Sequence, residues 1–257
     1  MTADRHEPTE STVQPTEERT AELGESLAEL RERIAVAATA AGRAASEVAL
    51  LAVTKTFPAA DVAALIDLGL DDFGENREQE ASAKVAEVAA LRPLAKVRWQ
   101  MIGGLQRNKA RSVITWADQV QSVDSERLAD ALASSVRVAV ERGSRTDPLA
   151  VLVQASLDGD PKRGGCPLPD LVRLADLIGE KTELRLRGVM AIAPRESEPS
   201  QAFERLAGVV ITLREHHPTA TELSIGMSGD LEAAIASGST CVRVGTALLG
   251  GRRLASA

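Results

Sequence analysis

The chain has 257 residues, with 30 Lys and Arg against 37 Asp and Glu and a formal net charge of −7 at pH 7. That length suits one large α/β domain, since about 250 residues is the usual size of a (β/α)8 barrel. The chain contains no Tyr, which excludes an internal phenolic acid or base, and only three Phe and two Trp, which argues against an aromatic surface that stacks on nucleic-acid bases. The excess of acidic residues argues against a broad surface that binds the phosphate backbone of nucleic acid.

The N-terminal part predicts a polar tail followed by a helix. Residues 1–20 are polar and contain two prolines, so we expect them to be disordered and to precede one domain over residues 21–257. After them, apolar residues recur at alternating four- and three-residue spacing, which gives a charged helix one apolar seam. The seam consists of Leu23, Leu27, Leu30 and Ile34. It is short, so docking on the protein's own body is favoured over a coiled-coil partner.

From residue 46 onward, short β-like runs alternate with amphipathic helical segments. The first run, 47–54, is almost continuously apolar, as expected for a strand buried on both faces of a parallel sheet. The further predicted strands are 71–74, 97–102, 119–123, 149–157, 184–190, 222–225 and 241–244, and the main predicted helices are 76–90, 125–141, 168–178, 200–215 and 228–236. Eight such units close most economically into a single TIM-type (β/α)8 barrel, whereas an open doubly wound sheet would call for a GxGxxG after its first strand.

The sequence does not indicate a metal site, a disulfide framework or a membrane-spanning segment. Its three histidines are His6, His216 and His217, without an HExxH or a ligand-spaced cluster, so we expect no metal site. Cys166 and Cys241 lie far apart without a CxxC motif, which indicates a reducing compartment. The N-terminus has no apolar signal segment, and no later stretch approaches the roughly 18 apolar residues of a membrane span. We therefore expect a cytoplasmic location.

Lys55 is the first candidate functional residue, because it is the only lysine that ends a long apolar strand. Functional residues of such barrels lie at the carboxyl ends of the strands. We expect its apolar neighbours to desolvate the ammonium, and burial favours the free amine that attacks a carbonyl to form a Schiff base. The alternative interpretation is a lysine that extends to solvent from a strand end.

Two loops containing Gly and Ser follow the last two predicted strands. Segment 224–230 leads into a helix with Ser228 as its expected N-cap, so unpaired N–H groups of the first turn would face the barrel opening. Gly245 and Thr246 follow the last strand, and Gly245 permits close backbone approach. Each loop alone is typical of an ordinary turn. Together they match the phosphate site that this fold forms after strands 7 and 8.

A lysine after strand 1 and a phosphate loop after strands 7 and 8 together predict a site for pyridoxal 5′-phosphate (PLP). Arg243, on the last strand, is expected to point inward toward the pyridine nitrogen. Because arginine keeps its proton, it donates to that nitrogen without protonating it, and the ring is then a poor electron sink. The same lysine and phosphate loop would also suit a Schiff-base aldolase acting on a sugar phosphate, and the residues alone do not separate the two.

Six segments, in order along residues 25–250, carry a resemblance to a known family. They are Ala52-Val53-Thr54-Lys55-Thr56, Phe73-Gly74-Glu75-Asn76, Ile102-Gly103 with Leu105-Gln106-Arg107-Asn108-Lys109, Gly188-Val189-Met190-Ala191, Ser224-Ile225-Gly226-Met227-Ser228 and Arg243-Val244-Gly245-Thr246. The chain resembles the YggS/PROSC family of pyridoxal phosphate homeostasis proteins. Two positions depart from the family pattern, since Gly104 replaces a frequent His and Arg77 a frequent Tyr. Neither is a proposed Schiff-base or phosphate residue.

The resemblance implies a barrel like the N-terminal domain of alanine racemase, with an extra N-terminal helix and without that enzyme's second domain. It implies that Lys55 carries PLP as an internal aldimine, with Arg243 at the pyridine nitrogen and Asn76 near the ring. The implied phosphate contacts are Ser224, Met227, Ser228, Gly245 and Thr246. The family is regarded as maintaining vitamin B6 and amino-acid pools without clear catalytic activity. The resemblance thus implies a monomer with no catalytic residue and with PLP-dependent apoenzymes as partners.

A PLP-dependent racemase is the principal alternative. A two-base racemase of the alanine type needs an acid or base on the face opposite the lysine, commonly a Tyr from a second domain. The chain has no Tyr and no length left for that domain, so the sequence favours PLP binding without turnover.

Overall fold

The computed structural model describes residues 13–160, 163–194 and 198–251. Strands and helices alternate along the chain after an N-terminal helix. The strands are β1 (Ala49–Val53), β2 (Asp72–Glu75), β3 (Arg98–Met101), β4 (Gln119–Val123), β5 (Leu149–Ser156), β6 (Cys166–Pro167), β7 (Leu184–Ala191), β8 (Glu222–Ser224) and β9 (Cys241–Val244). The helices are α1 (Glu17–Ala40), α2 (Ala59–Asp67), α3 (Glu78–Leu91), α4 (Ala110–Val113), α5 (Glu126–Glu141), α6 (Leu171–Gly179), α7 (Pro199–His216), α8 (Leu231–Ala236) and α9 (Thr246–Leu249).

Eight parallel strands close into a barrel, which confirms the predicted fold. The sheet order is β4-β3-β2-β1-β9-β8-β7-β5, and a pairing between β4 and β5 closes the ring. The two-residue β6, which the sequence did not predict, pairs with the end of β5. In β1, Leu51 and Ala52 are both fully buried although they point to opposite faces, so this strand is covered by the barrel core and by the outer helices. The carboxyl ends of the strands form one opening, called the barrel mouth below.

Helix α1 packs on the barrel, as its apolar seam predicted. All four seam residues are buried, and α1 contacts α2, α8 and α9. The predicted tail is too long at its C-terminal end, because α1 begins at Glu17 and its first turn is capped by Thr16, whose Oγ1 accepts from the Arg19 N–H at 3.2 Å. The Arg19 guanidinium also donates to Asp61 Oδ2 at 2.8 Å and to the Leu249 carbonyl at 2.9 Å. These bonds fix a turn whose polar composition alone suggested disorder. Residues 1–12 lie outside the described chain.

Strands β7 and β8 are in close backbone contact where Gly188 lies opposite Glu222. The Gly188 φ of 150° lies in the region that favours glycine, and a Cβ there would lie 1.8 Å from the carbonyl oxygen of Glu222. The register between β5 and β7 shifts next to this point, between Val151 and Leu152. Such an irregularity bends a strand locally, and glycine lets the two backbones meet there.

Neither a membrane helix nor a metal cluster is found among the residues that the structure describes. No helix in this part of the chain combines the length and apolarity needed to cross a bilayer. Within the same residues, no group of three or more His, Cys, Asp and Glu side chains is placed to hold a metal ion.

Both cysteines are free and buried, and we expect them to be unreactive in the folded protein. Burial raises the pKa of the Cys166 thiol to about 11 and that of Cys241 to about 12, and only the thiolate is a strong nucleophile. Iodoacetamide at pH 8 should therefore modify neither residue in the native protein and both in denaturant, as mass spectrometry would show. Native labelling of Cys241 at the rate of an unfolded thiol would contradict the burial of β9.

Candidate functional site

Most of the predicted site residues come together at the barrel mouth, around four neighbouring strands. Strand β1 pairs with β2 on one side and with β9 on the other, with Ala52 opposite both Phe73 and Val244. Strand β8 pairs with β9. Lys55, Asn76, the segment 225–230 and the Gly245-Thr246 pair thus follow the carboxyl ends of β1, β2, β8 and β9. The prediction that these segments share one edge of the barrel is confirmed.

Lys55 lies in a turn two residues beyond the end of β1. Thr54 is fully buried, whereas Lys55 is exposed, so the expectation that apolar neighbours bury its ammonium is wrong. The strand ends at Val53, and the Phe57 N–H donates to the Thr54 carbonyl at 3.1 Å. This bond turns the chain out of the barrel wall. Among the described residues, Lys55 has no hydrogen-bond or ion-pair partner, so its amine is available to a ligand at the mouth.

Arg243 is 4% exposed and points into the barrel, as the alternation along the last strand predicted. One nitrogen, Nη1, donates to the Ser224 carbonyl at 2.6 Å and to Ser224 Oγ at 2.8 Å, and Nη2 donates to the Ala191 carbonyl at 2.8 Å. Burial lowers the pKa of Arg243 from its usual value, but a guanidinium stays charged in proteins. These bonds use three of its five N–H groups, which leaves donors for a ligand.

A row of buried hydrogen bonds continues from Arg243 across the barrel interior. The Ser224 hydroxyl donates to Gln121 Oε1 at 2.8 Å, and Gln121 Nε2 donates to Gln100 Oε1 at 2.6 Å. Gln100 Nε2 then donates to Asp72 Oδ1 at 2.6 Å. The sequence reasoning missed both glutamines. For Gln121 a signal was available, because it lies in the predicted strand 119–123, whose sequence is QVQSV. Every residue of that strand is buried, and buried polar groups need hydrogen-bond partners.

Asp72 ends this row at the opposite end of the barrel, and its ionisation should make stability depend on pH. Burial raises the pKa of its carboxyl, and nearby Arg98 and the bond from Gln100 only partly offset this effect. The folded protein then binds this proton more tightly than the unfolded chain, where an Asp has a pKa of about 3.9. Asp72 therefore contributes a stability that is present at low pH and is lost as the pH rises through the raised folded pKa.

The expected result is a pH-dependent difference between the unaltered chain and Asp72→Asn. Urea unfolding at a series of pH values from about 4 upward gives the two free energies of unfolding. The free energy of the unaltered chain minus that of the variant should decrease as the pH rises. An increase over the same range would show that the Asp72 pKa is lowered by folding.

The loop after β8 differs from the expected helix cap. Helix α8 begins at Leu231 with Asp230 at its N-cap position, so the prediction that Ser228 caps this helix is wrong. The Asp230 carboxylate instead accepts from the Met227 N–H at 2.5 Å and folds the loop into a turn before the helix begins. Ser228 Oγ accepts from the Ala247 N–H at 3.2 Å and thereby joins this loop to α9.

Gly245 lies beside Val53, the last residue of β1, and Thr246 follows Gly245. A Cβ at Gly245 would be 3.2 Å from the Val53 carbonyl oxygen, so this position favours a residue without a side chain. Thr246 is exposed, and Met227 is 38% exposed. Both residues can reach a ligand at the mouth.

Asn76 is half-buried and lies close to Gly103 in the loop that follows β3. A Cβ at Gly103 would lie 2.1 Å from the Asn76 carbonyl oxygen and 2.7 Å from its Oδ1. The two positions that depart from the expected family pattern are both at the surface. Gly104 has free space around it, and Arg77 is exposed and pairs with Glu80 at 2.8 Å.

Residues 26–253 match the family model described as "Alanine racemase, N-terminal domain". Curated relatives named "Pyridoxal phosphate homeostasis protein" include that of Mycobacterium tuberculosis, which is 49% identical over 233 residues, 87% of this chain and 90% of the relative. The relative of the same name from Escherichia coli K12 is 40% identical over 223 residues, 86% of this chain and 92% of the relative.

Solved structures with the same fold include one with the cofactor. PipY from Synechococcus elongatus, "with PLP bound", has a TM-score of 0.74 and 35% identity, and the match covers 89% of this chain and all of PipY. Alanine racemase from Corynebacterium glutamicum has a TM-score of 0.66 at 12% identity over 93% of this chain and 63% of the racemase. At that identity the likeness concerns the fold alone.

Proposed function

This chain belongs to the pyridoxal phosphate homeostasis protein family, and on that premise we propose that it binds PLP at its barrel mouth and serves PLP homeostasis. One observation carries the proposal: an accessible Lys55 amine follows β1, while the buried cation of Arg243 lies on the neighbouring strand β9. When bound, PLP supplies an aldehyde that condenses with a lysine amine and releases water.

The residues at the mouth fit the chemistry of this cofactor. Lys55 offers its amine to the aldehyde carbon, and Arg243 offers its remaining N–H donors to the pyridine nitrogen. Since a guanidinium does not give up its proton, Arg243 binds that nitrogen without protonating it. Asn76 lies after the adjacent strand β2, where its side chain can contact the ring.

The phosphate group fits the loops after β8 and β9. Gly245 leaves room for the group, and the proposed donors are the N–H of Thr246 and the hydroxyls of Thr246 and Ser228. The Met227 N–H is already bonded to the Asp230 carboxylate, so we propose that Met227 contacts the group through its exposed side chain. Ser224 is 1% exposed, and its hydroxyl is already bonded to Gln121 and Arg243. We therefore assign to Ser224 the role of holding Arg243 rather than a direct hydroxyl contact with phosphate.

We propose that PLP is held without catalytic turnover. Arg243 makes the ring a poor electron sink, which weakens carbanion chemistry. The chain has no Tyr to act as the second base of a racemase. We further propose a cytoplasmic monomer that passes PLP to apoenzymes, as the family resemblance implies.

Spectroscopic titration with PLP is the decisive experiment. We expect a new visible absorption band, and borohydride should fix one pyridoxyl group to Lys55, as peptide mass spectrometry would show. Absence of the band would contradict the proposed function. Sugar-phosphate cleavage without added PLP would instead indicate a Schiff-base aldolase.

Incubation of the PLP-loaded protein with L- and D-alanine distinguishes a PLP-binding protein without catalytic turnover from a racemase. Chiral chromatography and a keto-acid assay follow the two possible products. We expect neither product to accumulate, and sustained turnover that requires Lys55 would overturn the non-catalytic role.

A further inference from the structure

The proposed function assigns no role to a buried ion pair that lies behind the Thr54–Lys55 peptide. On α3, Lys84 Nζ donates to Glu75 Oε1 at 2.7 Å and to the Thr54 carbonyl at 2.8 Å. The Thr54 hydroxyl donates to the same Glu75 oxygen at 2.7 Å. Thr54 and Glu75 are fully buried, and the Lys84 side chain is 9% exposed. These three residues, called the Lys84 cluster below, lie in the wall between β1, β2 and α3.

A contribution to stability does not by itself explain why the charged residues of the Lys84 cluster are buried. The second carboxylate oxygen, Glu75 Oε2, is buried without a hydrogen-bond partner among the described residues. Removing two charges from water costs free energy that their attraction recovers only when the remaining polar atoms are satisfied, so apolar replacements of buried pairs are often neutral or stabilising. The specific effect of this ion pair is that Glu75 holds the Lys84 ammonium in one orientation, toward the Thr54 carbonyl.

That ammonium contacts the oxygen that closes the turn carrying Lys55. The Thr54 carbonyl accepts from both Lys84 Nζ and the Phe57 N–H. Within this turn, Thr56 has a φ of 69°, a left-handed conformation that is unfavourable for a β-branched residue. Strained backbone persists where surrounding contacts over-determine it. A charge-assisted hydrogen bond is the strong kind of contact that this requires.

We propose that Lys84 is a positioning residue for Lys55: held by Glu75, it fixes the Thr54 carbonyl and thereby the strained turn that presents the Lys55 amine to PLP. The proposal rests on the proposed function. Lys84 itself is buried behind the barrel wall and does not contact the reacting atoms.

The double variant Lys84→Met with Glu75→Gln tests this role. It removes the ammonium without leaving a buried carboxylate unpaired, and the introduced amide keeps an oxygen for the Thr54 hydroxyl. A matched control is Lys96→Met, because Lys96 is exposed in the loop before β3. Stopped-flow absorbance gives the rate and equilibrium constants of covalent PLP binding, visible circular dichroism reports the orientation of the bound ring, and urea unfolding reports stability.

We expect the double variant to remain folded but to bind PLP covalently about tenfold more slowly and weakly, because small displacements of a reacting group are costly. Its circular dichroism per bound PLP should fall, and Lys96→Met should match the unaltered chain. Pyridoxine 5′-phosphate, which has an alcohol in place of the aldehyde, should bind with unchanged affinity.

Two results would overturn the positioning role. One is unaltered kinetics and circular dichroism in the double variant, and the other is an equal loss of affinity for the alcohol analogue, which would indicate general damage to the site. If the unaltered chain forms no covalent product with PLP, the proposed function fails and this role fails with it.

Discussion

Lys55→Ala should abolish the covalent product with PLP and leave the fold unchanged. Since Lys55 is the proposed attachment point, its loss removes both the visible absorption band and the pyridoxyl group fixed by borohydride. The residue is exposed and has no partner among the described residues, so the free energy of unfolding should change by less than about 0.5 kcal/mol. Absorption spectroscopy, mass spectrometry after reduction and urea unfolding measure the three quantities.

The matched control is Lys96→Ala, which removes another exposed lysine. It should retain the band and the reduced product. A Lys55→Ala protein that still carried one pyridoxyl group after reduction would show that another lysine holds PLP, and peptide mapping would identify it.

Gly188→Ala should strongly destabilise the barrel. The new Cβ would lie 1.8 Å from the Glu222 carbonyl oxygen, and the φ of 150° disfavours any side chain. Backbone on both sides must shift, because no flexible side chain can move aside. Steric overlap and backbone strain together should cost about 3 kcal/mol or more. Urea unfolding followed by circular dichroism measures this loss.

Gly104→Ala is the matched control, because a Cβ there has nothing within 4 Å. It should unfold within about 0.5 kcal/mol of the unaltered chain. If Gly188→Ala were equally stable, strands β7 and β8 would be farther apart than the structure shows.

The barrel was predictable because its signals are local and repeated. The apolar run of β1 and the apolar seam of α1 can each be recognised within a single element of the sequence. The start of α1 was missed because Arg19 is ordered by Asp61 and Leu249, which are distant in sequence. Polar composition carries no information about such bonds.

The site was less predictable, because the backbone decides where its side chains go. Ser228 is a good N-cap residue, but Asp230 binds the Met227 N–H and moves the start of α8 to Leu231. Lys55 follows an apolar strand, but the left-handed Thr56 turns the chain outward. Lys84 was not singled out from the sequence, although it lies three residues after Ala81 and four before Val88, on the buried face of α3. Its partners become evident only when β1, β2 and α3 are packed together.

The row of hydrogen bonds through the barrel interior has a direction. Every donor from Arg243 through Ser224, Gln121 and Gln100 points toward the Asp72 carboxylate. The bond dipoles therefore align head to tail between a cation and an anion, and rotating one amide by half a turn would place like poles against each other. The interior is thus polarised along its length. Because the Arg243 guanidinium only donates and an ionised carboxylate only accepts, both ends of the row impose the same direction.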